Sequence, residues 1–298
     1  YGKDPMGALA DECKKAGIRF GFYYSQLDWH HPAQQNNPKH EGRKAYRFNA
    51  VTDKPAYVAF LKGQLRELIE NYDPAVLFFD GEWTDWWTAE DGKDLELYVR
   101  SLKKDIILNN RVGKRKPGDG DYGTSEQQIP ATGLNYDWET CMTLNGTWGY
   151  KSYDKAWKSR RDVVRKLVDI ASKGGNFLLN VGPTAEGIIP EASAERLREV
   201  GKWLSVNGEA VYATQASPFD RPAWGRYTRK PGVIYAHVFD WPADGRLEVP
   251  VAAERIARAA VLGRGEVKVE PVGKSGVILV GNRPSDPDVS VVAIELRP

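Results

Sequence analysis

The sequence predicts an α/β fold: a (β/α)8-like barrel that is incomplete on its N-terminal side, followed by an antiparallel β-sandwich. Two patterns predict it. Residues 1–215 alternate between segments of helical periodicity and short apolar runs, which is typical of parallel strands joined by crossover helices. In residues 216–298 the helical period is absent, and short strands follow one another with turn residues between them. We therefore expect a barrel domain over 1–215 and a sandwich domain over 216–298.

The elements of the alternating region are predicted from apolar spacing and from the residues at their ends. Proline is favoured in the first turn of a helix, so Pro55 and Pro190 mark helix starts. Glycine is favoured just after the last turn, so Gly17, Gly174 and Gly208 mark helix ends. In chain order we expect a helix ending at Gly17, strand 18–24, a helix from Pro55, strand 76–80, helix 95–102, strand 106–108, a helix ending at Gly174, strand 177–183 and helix 190–208.

The sandwich strands are predicted from short apolar runs between turn residues. The loop over 112–135 is long for a compact domain, which favours a functional role for it. The expected sandwich strands are 233–240, 246–251, 259–263, 267–272, 276–281 and 291–296.

The barrel is expected to be incomplete because the alternating region supplies only about five strand–helix units, whereas a closed barrel has eight. The chain also starts at Tyr1 as if in the middle of a domain, without a leader-like segment. A barrel that lacks its first strands exposes two strand edges and an apolar interior. We expect such a chain to rearrange, to pair its edges with a second copy or to depend on an upstream segment.

Composition excludes several classes of function. The chain has 42 basic and 40 acidic residues, so no charge excess predicts binding to nucleic acid or to a membrane surface. Its two cysteines, Cys13 and Cys141, form neither a disulfide framework nor a metal-binding spacing. Cys13 lies on an apolar helical face and is expected to be a core residue. We expect no metal and no cofactor.

Polar side chains follow the predicted strands and suggest a chemistry. Asp80 ends an uncharged apolar run, where a parallel strand would deliver it to the rim that carries the chemistry of a barrel, although it could also cap the next helix. Glycoside hydrolysis needs two carboxylates and little else. Glu126, Glu82 and Glu139 are the candidates for the second one.

Five sequence runs make the prediction more specific. Together, and in this order, they resemble the α-L-fucosidases of glycoside hydrolase family 29 over roughly residues 1–215. The runs are GIRFGFYYS at 17–25, LFFDGEW at 77–83, DYGTSEQ at 121–127, WETCM at 138–142 with TWGY at 147–150, and SKGGNFLLNVGP at 172–183.

The resemblance implies a retaining exo-α-L-fucosidase that releases L-fucose from a fucosylated glycan by double displacement. Asp80 matches the nucleophile of the family, and Glu126 matches the acid/base of many bacterial members. Glu82 and Glu139 are then expected to be supporting carboxylates. The residues expected to contact the sugar are Tyr23, Phe78, Arg111 and Trp148.

The sequence departs from the family at three points. Phe78 stands where the family often has tryptophan, and Asn110 stands where it usually has aspartate. The third departure is that the N-terminal strands with a tryptophan–histidine motif and a histidine pair are absent, and His30 and His31 are not that pair.

Two other functions remain as alternatives. One is a sugar-binding protein without turnover, or an inactive truncated homologue, which the absent strands favour. The other is a retaining glycosidase for a different sugar. The sequence leaves open whether the protein is a homo-oligomer. It also leaves open the cellular location, for which the periplasm or secretion is the expectation.

Overall fold

A computed structural model describes residues 2–28, 30–35, 50–273 and 275–298. The chain forms two compact units, 1–124 and 125–298. The predicted domain boundary after residue 215 lies inside the second unit and stays a prediction. Among the described residues, no helix combines the length and the apolar character that a membrane span requires.

The first unit contains a parallel sheet with helices around it. The sheet has the order β1-β4-β5, and β2 and β3 form a separate short antiparallel pair. The elements of this unit are α1 Pro5–Lys15, β1 Gly21–Ser25, β2 Gln34–Gln35, β3 Ala50–Val51, α2 Lys54–Tyr72, β4 Val76–Asp80, α3 Ala89–Leu102 and β5 Ile107–Leu108.

Strand β4 separates core residues from site residues. Side chains alternate along a strand, so Leu77 and Phe79 are buried in the core while Phe78 and Asp80 point to the other face. The parallel register with β1 places Ser25 opposite Asp80. The C-terminal ends of both strands therefore lie at the same edge of the sheet, and Asp80 is at that edge.

Helices α1 and α2 differ in burial. Helix α2 begins at Lys54 after the cap Asp53 and buries four apolar side chains, as its spacing predicts. No residue of α1 is buried, and Met6 and Leu9 are 46% and 56% exposed. The prediction that Cys13 is a core residue is therefore wrong, because Cys13 is only half-buried on a helix that buries none of its residues.

The second unit begins within a strand of the three-stranded sheet β6-β7-β8, in which β7 and β8 are parallel. Strand β6 lies inside the segment that we predicted as a loop over 112–135. Its residues are mostly polar and do not alternate, so no apolar pattern marks it. The elements that precede the sandwich are β6 Gly123–Glu126, β7 Trp138–Thr143, α4 Arg160–Ser172, β8 Asn176–Asn180 and α5 Glu191–Asn207.

Two antiparallel sheets follow, with the orders β13-β12-β16-β10-β9 and β11-β15-β14. The six predicted strands correspond to six of these eight strands, and sequence analysis missed β9 and β13. Their bounds are β9 Gly225–Lys230, β10 Val233–Val238, β11 Arg246–Val249, β12 Ile256–Val261, β13 Gly265–Val267, β14 Val269–Val272, β15 Ser275–Leu279 and β16 Ser290–Leu296.

Helices α4 and α5 share one core with the five-stranded sheet, which is why both belong to the same unit. Charged pairs join the same parts, including Arg160 with Asp286 at 2.5 Å and Arg226 with Asp169 at 2.5 Å. A closed or incomplete barrel stays a prediction. The buried members of the shared core are Leu144, Val163, Val164, Val168, Val200, Trp203, Ala210, Tyr235, Val289, Val291 and Ala293.

Candidate active site

Asp80 lies half-buried at the C-terminal end of β4, and each of its carboxylate oxygens accepts a hydrogen bond. The hydroxyl of Tyr23 donates to Oδ2 at 2.6 Å. Nη1 of Arg111 donates to Oδ1 at 2.5 Å, which forms an ion pair. Together the two hydrogen bonds fix the direction of the carboxylate.

Tyr23 and Phe78 form an aromatic surface beside this carboxylate. They lie opposite each other in the β1–β4 register, and their rings stack with centroids 6.0 Å apart. Tyr23 is 63% exposed, although its hydroxyl is held by Asp80. The Tyr23 ring is therefore exposed to solvent while its hydroxyl is held in place, an arrangement that suits contact with the C–H face of a sugar.

Arg111 is almost completely buried, with 2% exposure, and its guanidinium is held from several directions. Its Nε donates to Oγ1 of Thr124 at 3.0 Å, and its Cζ lies 5.2 Å from the centre of the Phe78 ring. The Thr124 hydroxyl in turn lies 2.9 Å from Oδ1 of Asn110. Because a buried arginine must be paired, these contacts direct its charge toward Asp80.

The backbone around Arg111 is packed just as closely. The side chain of Asn109 exchanges two hydrogen bonds with the main chain of Phe79, at 2.9 and 3.0 Å, and so continues the β4–β5 ladder. A Cβ atom on Gly92 of α3 would lie 2.5 Å from Cα of Gly113. The helix and the turn that carries Arg111 are thus in direct backbone contact.

Glu82 is buried, and both of its carboxylate oxygens are bonded to groups other than Asp80. It forms an ion pair with Arg115, and its other oxygen accepts a hydrogen bond from the Gly81 amide at 3.2 Å. Gly81 has a φ of 113°, and a Cβ there would lie 3.0 Å from Cγ of Leu27, so the turn after Asp80 needs glycine. These contacts favour a structural role for Glu82 over acid/base chemistry.

Glu126 is the last residue of β6 and is half-buried. The next residue, Gln127, has a φ of 56°, an uncommon conformation for a residue with a side chain. Three hydrogen bonds hold it there. Its main-chain amide donates to the Cys141 carbonyl at 2.9 Å, its Nε2 donates to Oγ1 of Thr143 at 3.1 Å, and its Oε1 accepts from the Thr143 amide at 3.3 Å. The backbone after Glu126 is therefore tied to the C-terminal end of β7.

Glu139 lies at the opposite end of the same strand. It is the second residue of β7 and pairs with Asn176, the first residue of β8. The C-terminal ends of these parallel strands are Thr143 and Asn180, and Gln127, the residue after Glu126, is bonded to that end. This position makes Glu126 the better candidate of the two.

Trp148 is 39% exposed in the segment after β7. The side chain of Asn180, at the end of β8, donates to the Trp148 carbonyl at 2.7 Å. A Cβ on Gly182 would lie 2.8 Å from the carbonyl carbon of Gly149, so this turn also packs against that segment. Asn180 holds a loop, which is the role that an Asn before Gly-Pro usually has.

The structure thus joins four of the predicted site residues in the first unit: Asp80, Tyr23, Phe78 and Arg111. Glu126 and Trp148 belong to the second unit, and their contacts are those given above. Sequence analysis missed Thr124 and Gln127. Neither carries a local signal, because their roles depend on partners far along the chain or on a backbone angle. In the described part of the chain, no group of three or more His, Cys, Asp or Glu residues could hold a metal ion.

Comparison with known proteins gives one consistent family. A family model described as Alpha-L-fucosidase matches residues 2–209. Among curated proteins, human tissue alpha-L-fucosidase is 31% identical over 284 residues, which cover 89% of this chain and 58% of the human protein.

Solved structures give the same result. Alpha-L-fucosidase isoenzyme 1 from Paenibacillus thiaminolyticus is 31% identical with a TM-score of 0.87, covering 100% of this chain and 76% of that one. A fucosidase from Bacteroides thetaiotaomicron, solved as a trapped covalent intermediate with 2-fluoro-fucosyl fluoride, is 26% identical with a TM-score of 0.83 and covers 100% and 72%. The present chain spans 58% of the human relative and 61% of the bovine one.

Proposed function

The chain belongs to the alpha-L-fucosidase family, and from this premise we propose that it hydrolyses α-L-fucosides with retention of configuration and releases L-fucose from a fucosylated glycan. The observation that carries the proposal is the Asp80 carboxylate at the end of β4, with one oxygen bonded to Tyr23 and the other to Arg111.

The proposed reaction has two displacements. In the first, Asp80 attacks the anomeric carbon while Glu126 gives its proton to the leaving glycosidic oxygen, so the aglycone departs and a fucosyl ester of Asp80 forms. In the second, Glu126 takes a proton from water, the water oxygen attacks the anomeric carbon, and the Asp80 carboxylate is released. Two inversions give net retention.

Several observations support these roles. A nucleophilic carboxylate must be held in one direction, and the hydrogen bonds from Tyr23 and Arg111 hold Asp80 in this way. The Bacteroides neighbour was trapped as a covalent intermediate, which is the species that the first displacement would form. Glu82 is bound to Arg115 and Glu139 lies at the far end of β7, which leaves Glu126 as the proposed acid/base.

The sugar-contacting roles follow from exposure and chemistry. We propose that the Tyr23–Phe78 pair and Trp148 offer ring surfaces to C–H groups of fucose, and that Arg111 orients Asp80 beneath the anomeric carbon. The partly exposed Tyr23 and Trp148 rings support this role, since a sugar can reach them.

The test uses this chain with aryl α-L-fucosides. The anomer formed first is read by proton NMR, and 2-fluoro-fucosyl fluoride is used to label the nucleophile, which is then located by peptide mass spectrometry. The α-anomer and a label on Asp80 are expected. Formation of the β-anomer, or a label on another residue, would refute the mechanism.

A panel of other aryl glycosides separates the alternatives. Faster cleavage of a different glycoside would favour the retaining glycosidase of another specificity. Calorimetric binding of L-fucose without any turnover would favour the sugar-binding protein.

A further inference from the structure

Gln26 follows β1 directly, is completely buried, and contacts the main chain on both sides of the Asp80 site. Its own amide N–H donates to the carbonyl of Asp80 at 2.7 Å. Its side-chain Nε2 donates to the carbonyl of Arg111 at 2.9 Å. We propose that Gln26 is a positioning residue that couples the end of the Asp80 strand to the Arg111 turn, an inference that rests on the proposed function.

The chemistry of the side-chain contact explains why a glutamine stands here. The partner of the side chain is a carbonyl oxygen, which accepts only, so the amide nitrogen must be the atom that faces it. An amide donates this bond without a charge. A lysine would bring a second cation near the Asp80–Arg111 pair, and an ionised glutamate has no proton to donate to the Arg111 carbonyl.

Gln26 is itself held by the core of the first unit. The hydroxyl of Tyr57, on α2, donates to the Gln26 carbonyl at 3.0 Å and accepts from the Asp28 amide at 2.9 Å. Burial raises the pKa of Tyr57 above its usual value, so the hydroxyl keeps the proton that it donates. The position of Gln26 is therefore fixed by helix α2 as well as by the site.

Loss of the side-chain bond has a predictable consequence. The Arg111 carbonyl would become a buried acceptor without its partner, and the turn would move to find another one. Because the Asp80–Arg111 bond is made by the side chain of that same turn, the guanidinium would move relative to the carboxylate. A displacement of about 1 Å in a reacting group can lower the rate by about 100-fold.

The test compares Gln26→Met with Gln64→Met as a matched control. Methionine has nearly the length of glutamine and cannot donate. Gln64 accepts a hydrogen bond from Tyr24 at 2.8 Å and contacts neither Asp80 nor Arg111. For an aryl fucoside, we expect Gln26→Met to lower kcat by about 10- to 100-fold with KM within about threefold, and Gln64→Met to stay within about twofold of wild type.

The thermal unfolding midpoint and the rate of covalent labelling by 2-fluoro-fucosyl fluoride complete the test. A positioning role slows labelling in Gln26→Met in proportion to kcat, at a midpoint similar to that of the control. Equal kcat values in the two variants would overturn the inference. So would a decrease in kcat of Gln26→Met that disappears when the rate is corrected for the fraction of unfolded protein. If Gln26→Met does not fold, Tyr57→Phe replaces it, with an expected fall in kcat of about 3- to 10-fold. An unchanged kcat in Tyr57→Phe would also overturn it.

This design separates the inference from the proposed function. If the wild-type chain neither turns over nor labels, the proposed function fails, and a crystal structure of Gln26→Met then tests the coupling alone. Displacement of the Arg111 guanidinium from Asp80 would support the inference, and an unmoved guanidinium would refute it.

Discussion

Asp80 in the first unit and His237 in the second unit are both titratable residues away from full solvent exposure, but their surroundings differ. The Asp80 carboxylate and the buried Arg111 guanidinium form an ion pair. His237 on β10 is completely buried, where Thr228 lies 2.9 Å from its Nε2, and desolvation lowers its pKa to about 3. At the first position two charged groups are paired, and at the second a buried imidazole is kept neutral by desolvation.

This difference indicates where substitutions should act. Pairing fixes the direction of reactive groups, so changes near Asp80 should alter turnover. A buried neutral group such as His237 belongs to a packed core, so changes near it should alter the free energy of unfolding. The predictions that follow test this separation, beginning with the largest expected effect.

Asp80→Gly should lower turnover of aryl fucosides by about 10⁴-fold or more, because it removes the proposed nucleophile. Added azide should restore part of the activity, since the small anion can enter beside Arg111 and attack directly, giving fucosyl azide of inverted configuration. Steady-state kinetics and NMR of the product measure both effects. Activity close to wild type would refute the role of Asp80.

Glu126→Gln should lower turnover by about 10³-fold for substrates with poor leaving groups and far less for activated aryl fucosides, because only the former need a proton. The alkaline limb of the pH–rate profile should flatten. Glu139→Gln and Glu82→Gln serve as controls. If one of them shows the selective loss instead, the acid/base is that residue.

Trp203→Ala tests the core of the second unit. Trp203 is buried and its Nε1 donates to the Val289 carbonyl at 2.8 Å. Loss of its packing should lower the free energy of unfolding by about 3–5 kcal/mol, measured by denaturant titration. Below the unfolding transition, kcat should match wild type. A severalfold fall in kcat of the folded protein would break the separation between the two regions.

The His237 pKa gives a pH dependence whose sign can be stated. The unfolded state binds a proton at this histidine below about pH 6.5, whereas the folded state does so only near pH 3. The unfolded state therefore holds more protons in this window. The contribution of the neutral histidine is complete above about pH 6.5 and is lost as the pH falls toward 3.

His237→Asn should consequently show a shallower decline of stability in acid, by up to about 1.4 kcal/mol per pH unit. Urea titrations of both proteins between pH 4 and 8 measure the slopes. Parallel slopes would show that His237 does not bind the proton responsible.

The predictable parts of this protein are those with a local signal. The run before Asp80 is uncharged and ends at an acid, and it forms a strand with that acid at its C-terminal end. Helix α2 was predictable for the same reason, since Leu61 and Leu65 repeat at helical spacing and are buried. The roles proposed for Asp80, Glu126 and Arg111 came from the resemblance of whole runs and not from the spacing of single residues.

The unpredicted parts depend on partners that no local pattern reveals. Gln26 and Thr124 act through atoms that lie 85 and 13 residues away along the chain. The apolar face of α1 has the spacing of a core helix, but spacing cannot say whether another element covers it. Likewise, the spacing of α4 shows that it has an apolar face but does not identify the sandwich as the surface that it covers.

The backbone contact between Gly92 of α3 and Gly113 has a consequence for motion. Side chains between two elements can change rotamer and so absorb a small displacement, but two touching backbones have no such freedom. Thermal movement of α3 is therefore transmitted to the turn that carries Arg111. Local opening of this one helix should then be sufficient to disturb the order of the Arg111 turn.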